Sequence, residues 1–220
     1  VEILSFSFFS LLLLYRYISI NEENTMLIKN KVLWISISIL VCNSLLFGQL
    51  RLGLDMSGKF KVSYSGDSET YDSDKGIVIG YDQLLQDEDK MQLGVGGEFM
   101  MARGVEEFST GKGSFHSFYG YGKYALDKTT YAYGRIGYSI HSGDDDYTDC
   151  GTGCNITLSG GMMYSFGGGF ALTPSVSLEG LFSSHSGDFT FSSTDDDELY
   201  SATYKLSYTR FSIGLRYTLQ

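Results

Sequence analysis

The chain has 220 residues, enough for one domain or two small ones, and it is rich in glycine, tyrosine and phenylalanine with a single proline. Its formal charge of −10 argues against a nucleic-acid partner, because phosphate binding needs a basic face. No proline-rich or repetitive linker divides it.

Residues 1–25 are apolar over 3–14 but have no basic residue in front of that run. From Met26 the chain reads "MLIKNKVLWISISILVCNSLLFGQ". Lys29 and Lys31 make a basic n-region, residues 32–41 an apolar h-region of secretory length, and Gly48 a small residue for cleavage. The pattern predicts a signal peptide over 26–48, Met26 as the true start and 1–25 as a mis-assigned leader. The rival reading of 1–25 is a first transmembrane helix, but the run is shorter than the roughly 20 residues a bilayer needs. Cys42 follows Val41 rather than a small residue, which argues against a lipid anchor. Cys150 and Cys154 then remain, and "DCGTGC" predicts a small disulfide ring.

From 49 onward the period is two, and eight strands are expected. In the first, "LRLGLDMSGKFKVSY" (50–64), every even position is apolar or glycine and every odd one is polar or glycine. The second, near 75–85, carries Ile77, Ile79, Tyr81 and Leu85 on one parity, and the third, 91–103, carries Met91, Leu93, Val95, Phe99 and Met101. The fourth and fifth, near 114–126 and 129–141, are apolar on both parities, so their faces are not assigned. Ile156, Leu158, Met162, Tyr164 and Phe166 mark the sixth; "GGG" at 167–169 is expected to turn the chain into a seventh with Phe170, Leu172, Val176, Leu178 and Phe182. Phe211, Ile213, Leu215, Tyr217 and Leu219 mark the eighth.

The connections are expected to alternate: long at 65–74, 104–113, 142–154 and 184–202, short at 86–90, 127–128 and 167–169. All long loops then lie at one end of an up-and-down meander, as in transmembrane β-barrels, and eight strands close into a side-chain-filled barrel. A soluble lipocalin-type barrel shares the period with its apolar face inside. Export, strand length, a polar parity rich in Gly, Ser and charge, and aromatics at strand ends favour lipid outside.

With these features, "FYGYGKYAL", "YAYGRIGYSI" and the closing "FSIGLRYTLQ" resemble the small OmpA/OmpX-type outer-membrane β-barrel (porin-like) family over 49–220. The last two residues depart from it, being Leu-Gln rather than a terminal aromatic. The resemblance implies an all-β, eight-stranded antiparallel barrel in the cell outer membrane, in contact with its lipid and lipopolysaccharide. It also implies recognition of the last strand by the barrel-assembly machinery, and no cofactor. The role expected is structural or surface-interacting, in envelope integrity or adhesion, and not catalytic. A partner outside the cell would meet the four long loops. The alternatives are a narrow pore, a lipid-modifying enzyme and, last, a secreted lipocalin-like carrier.

Charges on the polar parity are Arg51, Asp55, Lys59, Glu98, Glu179 and Arg216, with Arg135 and Arg210 as companions. Inside so narrow a barrel they must be paired, which predicts a salt-bridge network closing the lumen. The acidic loop residues, among them Asp144, Asp145, Asp146, Asp149, Asp195, Asp196 and Asp197, read as solvated charge; "DDD" lacks the spaced ligands of a calcium loop. For catalysis the candidates are His116, His141 with Ser142 and Asp144, and His185 with Ser186; closeness in sequence is not triad geometry. "TGKG" at 110–113 lacks the phosphate-loop pattern, and "GVGG" at 94–97 reads as close packing within a strand.

Overall fold

The computed structural model describes residues 48–105, 108–143, 154–195 and 198–219. The predicted leader and signal peptide lie outside them, apart from Gly48, which opens the first strand. The strands are β1 (Gly48–Tyr64), β2 (Asp67–Asp72), β3 (Ile77–Glu88), β4 (Met91–Met100), β5 (Arg103–Val105), β6 (Phe108–Ala125), β7 (Thr130–Gly143), β8 (Cys154–Ala171), β9 (Val176–Asp195) and β10 (Glu198–Thr218). Eight of them form one antiparallel ring in the order β1-β3-β4-β6-β7-β8-β9-β10, and β10 pairs back onto β1 from Gln49↔Thr218 to Ser63↔Lys205. The expected eight-stranded up-and-down barrel is therefore present. Its closure leaves no free edge around the ring, the one way a sheet satisfies all its backbone groups in hydrocarbon.

Several expected loops are strand. β2 folds back on β1 across Ser65-Gly66, both at positive φ (51° and 98°), the signature of a tight hairpin turn. β5 pairs with β6 inside the expected loop 104–113, and β9 and β10 run to Asp195 and from Glu198, deep into the expected loop 184–202. The ladders extend well past the short stretch a bilayer needs.

The glycine run does not turn the chain. β8 passes through Gly167, Gly168 and Gly169, whose missing side chains admit the Gly180, Tyr131 and Leu178 carbonyls and the Tyr131 ring. The turn comes later, at Thr173-Pro174-Ser175-Val176, where Val176 N–H donates to the Thr173 carbonyl at 3.4 Å. The chain's one proline sits at its second position, which favours a fixed φ. The seventh ring strand thus starts at Val176, and Phe170 belongs to β8. Next to this turn both strands still show even positions outward, because Ala171↔Ser177 preserves parity.

Two bulges control the faces. In β1 the register shifts between Asp55 and Ser57. Below it Leu50, Leu52 and Leu54 point outward; above it Phe60 is buried and Lys59 and Lys61 are exposed. β8 repeats the device between Gly160 and Met163: Met162, Tyr164 and Phe166 face out, whereas beyond the bulge Asn155, Thr157 and Ser159 take the exposed side. A bulge sets two residues against one and so exchanges the faces of everything after it. The barrel accordingly has apolar walls outside in one zone and, towards the long connections, apolar walls inside.

The unassigned strands are resolved as well. Phe115, Ser117, Tyr119 and Tyr121 of β6 and Tyr131, Tyr133, Arg135, Ser139 and His141 of β7 are buried in the lumen; Phe118, Ile136, Tyr138 and Ile140 face out. At the opposite end the β6–β7 turn is held by Asp127, whose carboxylate accepts the Thr129 and Thr130 N–H groups at 2.8 Å each and the Thr129 hydroxyl at 3.0 Å.

Two outcomes are expected. Of single cysteines placed at Lys59 and Phe60, a bulky water-soluble maleimide should label the first and spare the second in the folded barrel; the reverse pattern contradicts the face exchange. The three donors around Asp127 hold its pKa down at about 2, so its favourable share of turn stability is present above the ordinary carboxylate range and is lost as pH falls towards 2. An NMR titration should show that low midpoint, and Thr129→Val should raise it.

Candidate functional site: the charged lumen

Hydrocarbon-facing strands leave their other parity to fill a narrow interior, and here that parity is ionic. Glu98 of β4 lies near its centre. Its Oε2 accepts from Arg51 at 2.9 Å and Arg135 at 3.0 Å, and its Oε1 accepts from Arg210. Arg210 also donates to Asp55 at 3.0 Å, and Asp55 is held from its other side by Arg103 at 2.6 Å. Nearer the short turns Arg216 bridges Glu179 at 2.5 Å and Asp82 at 2.8 Å, and it donates to Gln49. Residues 37 to 167 positions apart meet here, which only an interior shared by all strands allows.

Tyrosines complete the network. Tyr119 donates to Asp82 at 2.7 Å and Tyr131 to Glu179 at 2.6 Å. The Arg135 guanidinium lies 4.8 and 4.7 Å from the Tyr119 and Tyr133 ring centroids, and Arg216 5.0 Å from Tyr133. A cavity of about 10 Å³ beside Arg51 and Glu98 has room for about one water.

Above the charges sits an aromatic layer. Phe60 stacks on Tyr208 at 4.5 Å and Phe115 on His141 at 4.6 Å, with Met100, Val78 and Leu206 in the same cluster. Tyr208 is 3.5 Å from an Arg103 nitrogen and 3.4 Å from the Ser73 hydroxyl, which ties the layer to the network below. The interior is packed across its width.

Seven of the eight residues expected in this network, Arg51, Asp55, Glu98, Arg135, Glu179, Arg210 and Arg216, are buried in the lumen. Lys59 is not. The β1 bulge turns it outward, where it is 63% exposed and 3.8 Å from Asp72. Two members were missed. Asp82 had a signal, since it falls on the even parity of β3 opposite Ile77, Ile79 and Tyr81. Arg103 had none: it shares parity with outward Phe99 and Met101, and only the break at 101–102 swings it inside.

The histidine candidates separate by face. His141 points into the lumen whereas Ser142 contacts outward His116, 3.4 Å away. His185 is buried and shared by Ser139 (2.8 Å) and Ser117 (3.2 Å), whereas Ser186 donates to the Met162 carbonyl on the other face. His116 lies 3.3 Å from Ser114, but its second nitrogen takes the Met100 N–H at 3.4 Å, where a triad would place a carboxylate. Asp144, Asp145, Asp146, Asp149, Asp196 and Asp197 lie outside the described residues, as does Cys150; Cys154, at the start of β8, is disulfide-bonded. Among the described residues no three His, Cys, Asp or Glu side chains gather as a metal site.

A closed ring that buries five arginines while Leu52, Phe99, Phe118, Ile136, Phe166 and Leu215 stand exposed around it has its polarity inverted relative to a soluble domain. The fold is that of an outer-membrane β-barrel. No protein-family model and no curated protein sequence matches the chain. Among solved structures it is similar to the outer membrane protein OprG of Pseudomonas aeruginosa, at 13% identity over 78% of this chain and 95% of that one, with a TM-score of 0.47. It is also similar to Ail, the attachment invasion locus protein of Yersinia pestis, at 16% identity over 78% and 99%, with a TM-score of 0.40. A third is the outer membrane protease OmpT of Escherichia coli, at 12% over 78% and 96%, with a TM-score of 0.42. Likenesses this distant lend the barrel no role.

Removing Glu98 should leave three guanidiniums without their shared carboxylate. Glu98→Ala is expected to lower stability by about 3–5 kcal/mol, the usual penalty for breaking a buried pair. Lys59→Ala should change it by no more than about 1 kcal/mol. Urea unfolding in detergent micelles measures both; equal costs contradict the assignment of Glu98 as the hub.

Proposed function

We propose that this outer-membrane barrel is non-catalytic and non-conducting, and that its role is structural or surface-interacting, in envelope integrity or adhesion. The observation that supports this is the packed lumen, ionic in the middle and aromatic towards the long connections, with water-scale space beside its central ion pairs. Only larger barrels leave an aqueous channel.

The surface on offer to a partner is then the part beyond the apolar belt. There β1, β2, β9 and β10 continue as sheet, with Lys59, Lys61, Thr203 and Lys205 on the exposed face. Ladder-stiffened extensions present side chains at fixed spacing, which costs less ordering entropy on binding than a mobile loop does. Outer-membrane lipid and lipopolysaccharide would contact the belt, and the assembly machinery the last strand.

Planar-bilayer recordings of the purified barrel should show no steady large conductance, and lipid A from cells with and without it should have the same mass spectrum. Steady conductance would replace this reading with the narrow pore, and altered lipid A with the enzyme.

A further inference from the structure

We propose that the lumen binds one small monovalent anion of the halide class against Arg135, Ser165, Ser183, Arg210 and His185. Four of these form one row across four neighbouring strands. Arg135 of β7 is opposite Ser165 of β8, Ser165 opposite Ser183 of β9, and Ser183 opposite Arg210 of β10. All four are at least 96% buried and face the interior, and His185 lies two residues beyond Ser183 on the same face.

The row carries unspent hydrogen-bonding capacity. The Nε atoms of Arg135 and Arg210, the hydroxyls of Ser165 and Ser183, and Nε2 of His185 are buried without a hydrogen-bond partner. The remaining nitrogens of both arginines are already committed to Glu98, Asp55 and Tyr133. His185 has its other nitrogen against the Ser117 and Ser139 hydroxyls; when Nδ1 accepts from one of them, Nε2 carries the proton and is a donor. Every orphaned atom can thus present a hydrogen, and buried donors in native proteins find a protein, water or ion partner.

Charge selects among those partners. Among the described residues, five buried guanidiniums (Arg51, Arg103, Arg135, Arg210, Arg216) face four buried carboxylates (Asp55, Asp82, Glu98, Glu179). Three of the five converge on Glu98, so the positive excess lies beside this row. Water would satisfy the donors and leave the charge; a monovalent anion satisfies both.

The test uses the full barrel in detergent, unfolded by urea at matched ionic strength in sodium chloride, bromide or gluconate. The midpoint should rise with chloride or bromide concentration in a saturable way and stay fixed in gluconate. Crystals grown with bromide should show an anomalous peak between Arg135 and Arg210. Equal midpoints in the three salts, or ordered water alone at that position, would overturn the proposal. Ser183→Asp supplies a resident carboxylate and should abolish the halide dependence. Should that variant not fold, Ser165→Ala/Ser183→Ala should weaken the dependence, and unchanged dependence in the double variant also overturns the site.

Discussion

Everything in this barrel depends on the fact that hydrocarbon offers a backbone no hydrogen-bond partner. A sheet in that solvent must close, and the β1–β10 ladder performs the closure over most of the length of β1. Closure at eight strands then fixes an interior too narrow for bulk water. Since alternate residues must point into it, that interior has to be filled by the parity that lipid does not take. Pairing every carboxylate with an arginine is the consequence, and the hub at Glu98 is where three strands' worth of positive charge is reconciled with one acidic group.

The bulges let one sequence pattern serve two solvents. Even positions of β1 remain apolar from Leu50 to Val62, yet Leu54 faces hydrocarbon and Phe60 faces the aromatic layer. Without the extra residue near Met56, Lys59 would enter the lumen and Phe60 would meet water above the belt. Inserting one residue is the least change that converts an inside-out barrel into an ordinary one with a buried apolar core. β8 makes the same exchange with Met162 outward and Leu158 on the opposite side of its bulge. Both shifts sit where outward residues change from leucine, methionine and aromatics to serine, threonine, asparagine and lysine.

This explains what was legible in the sequence. Parity within an unbroken ladder is a local property, so the ring strands and six of the lumen charges are readable from alternation, whereas Arg135 sits on β7, whose pattern leaves its face open. A bulge is set by how two strands pair, and nothing in "LDMSGKF" separates a continuous ladder from an interrupted one; hence alternation puts Lys59 on the lumen parity and Arg103 on the outward one, the reverse of where they lie. Glycine favours turns, so the run at 167–169 predicts one, although here it serves close backbone approach to Tyr131 and Gly180. Pro174 was the better signal, because a fixed φ suits the second position of a turn. The faces of β6 and β7 were hidden because tyrosine serves both sides: as a hydrogen-bond donor to Asp82 and Glu179 inside, and as an interfacial ring outside.

An ionic lumen still has to be explained against the simpler choice of leucine. Buried ion pairs are no more stabilising than well-packed apolar side chains of similar volume, and often less so. A leucine-filled interior, however, would make every strand apolar on both parities. Strands such as β8, β9 and β10, of 18, 20 and 21 residues, would then approach the length and greasiness of a membrane-spanning helix. A chain that must cross one membrane unfolded to reach another cannot carry such segments without halting in the first. Alternation avoids this: mean hydropathy is only −0.05 although much of the outer surface is apolar. The arginine–carboxylate lumen is thus a property selected in the unfolded chain as much as in the folded one. It keeps each strand polar enough to pass through water, and its pairs become complete only when the ring has closed.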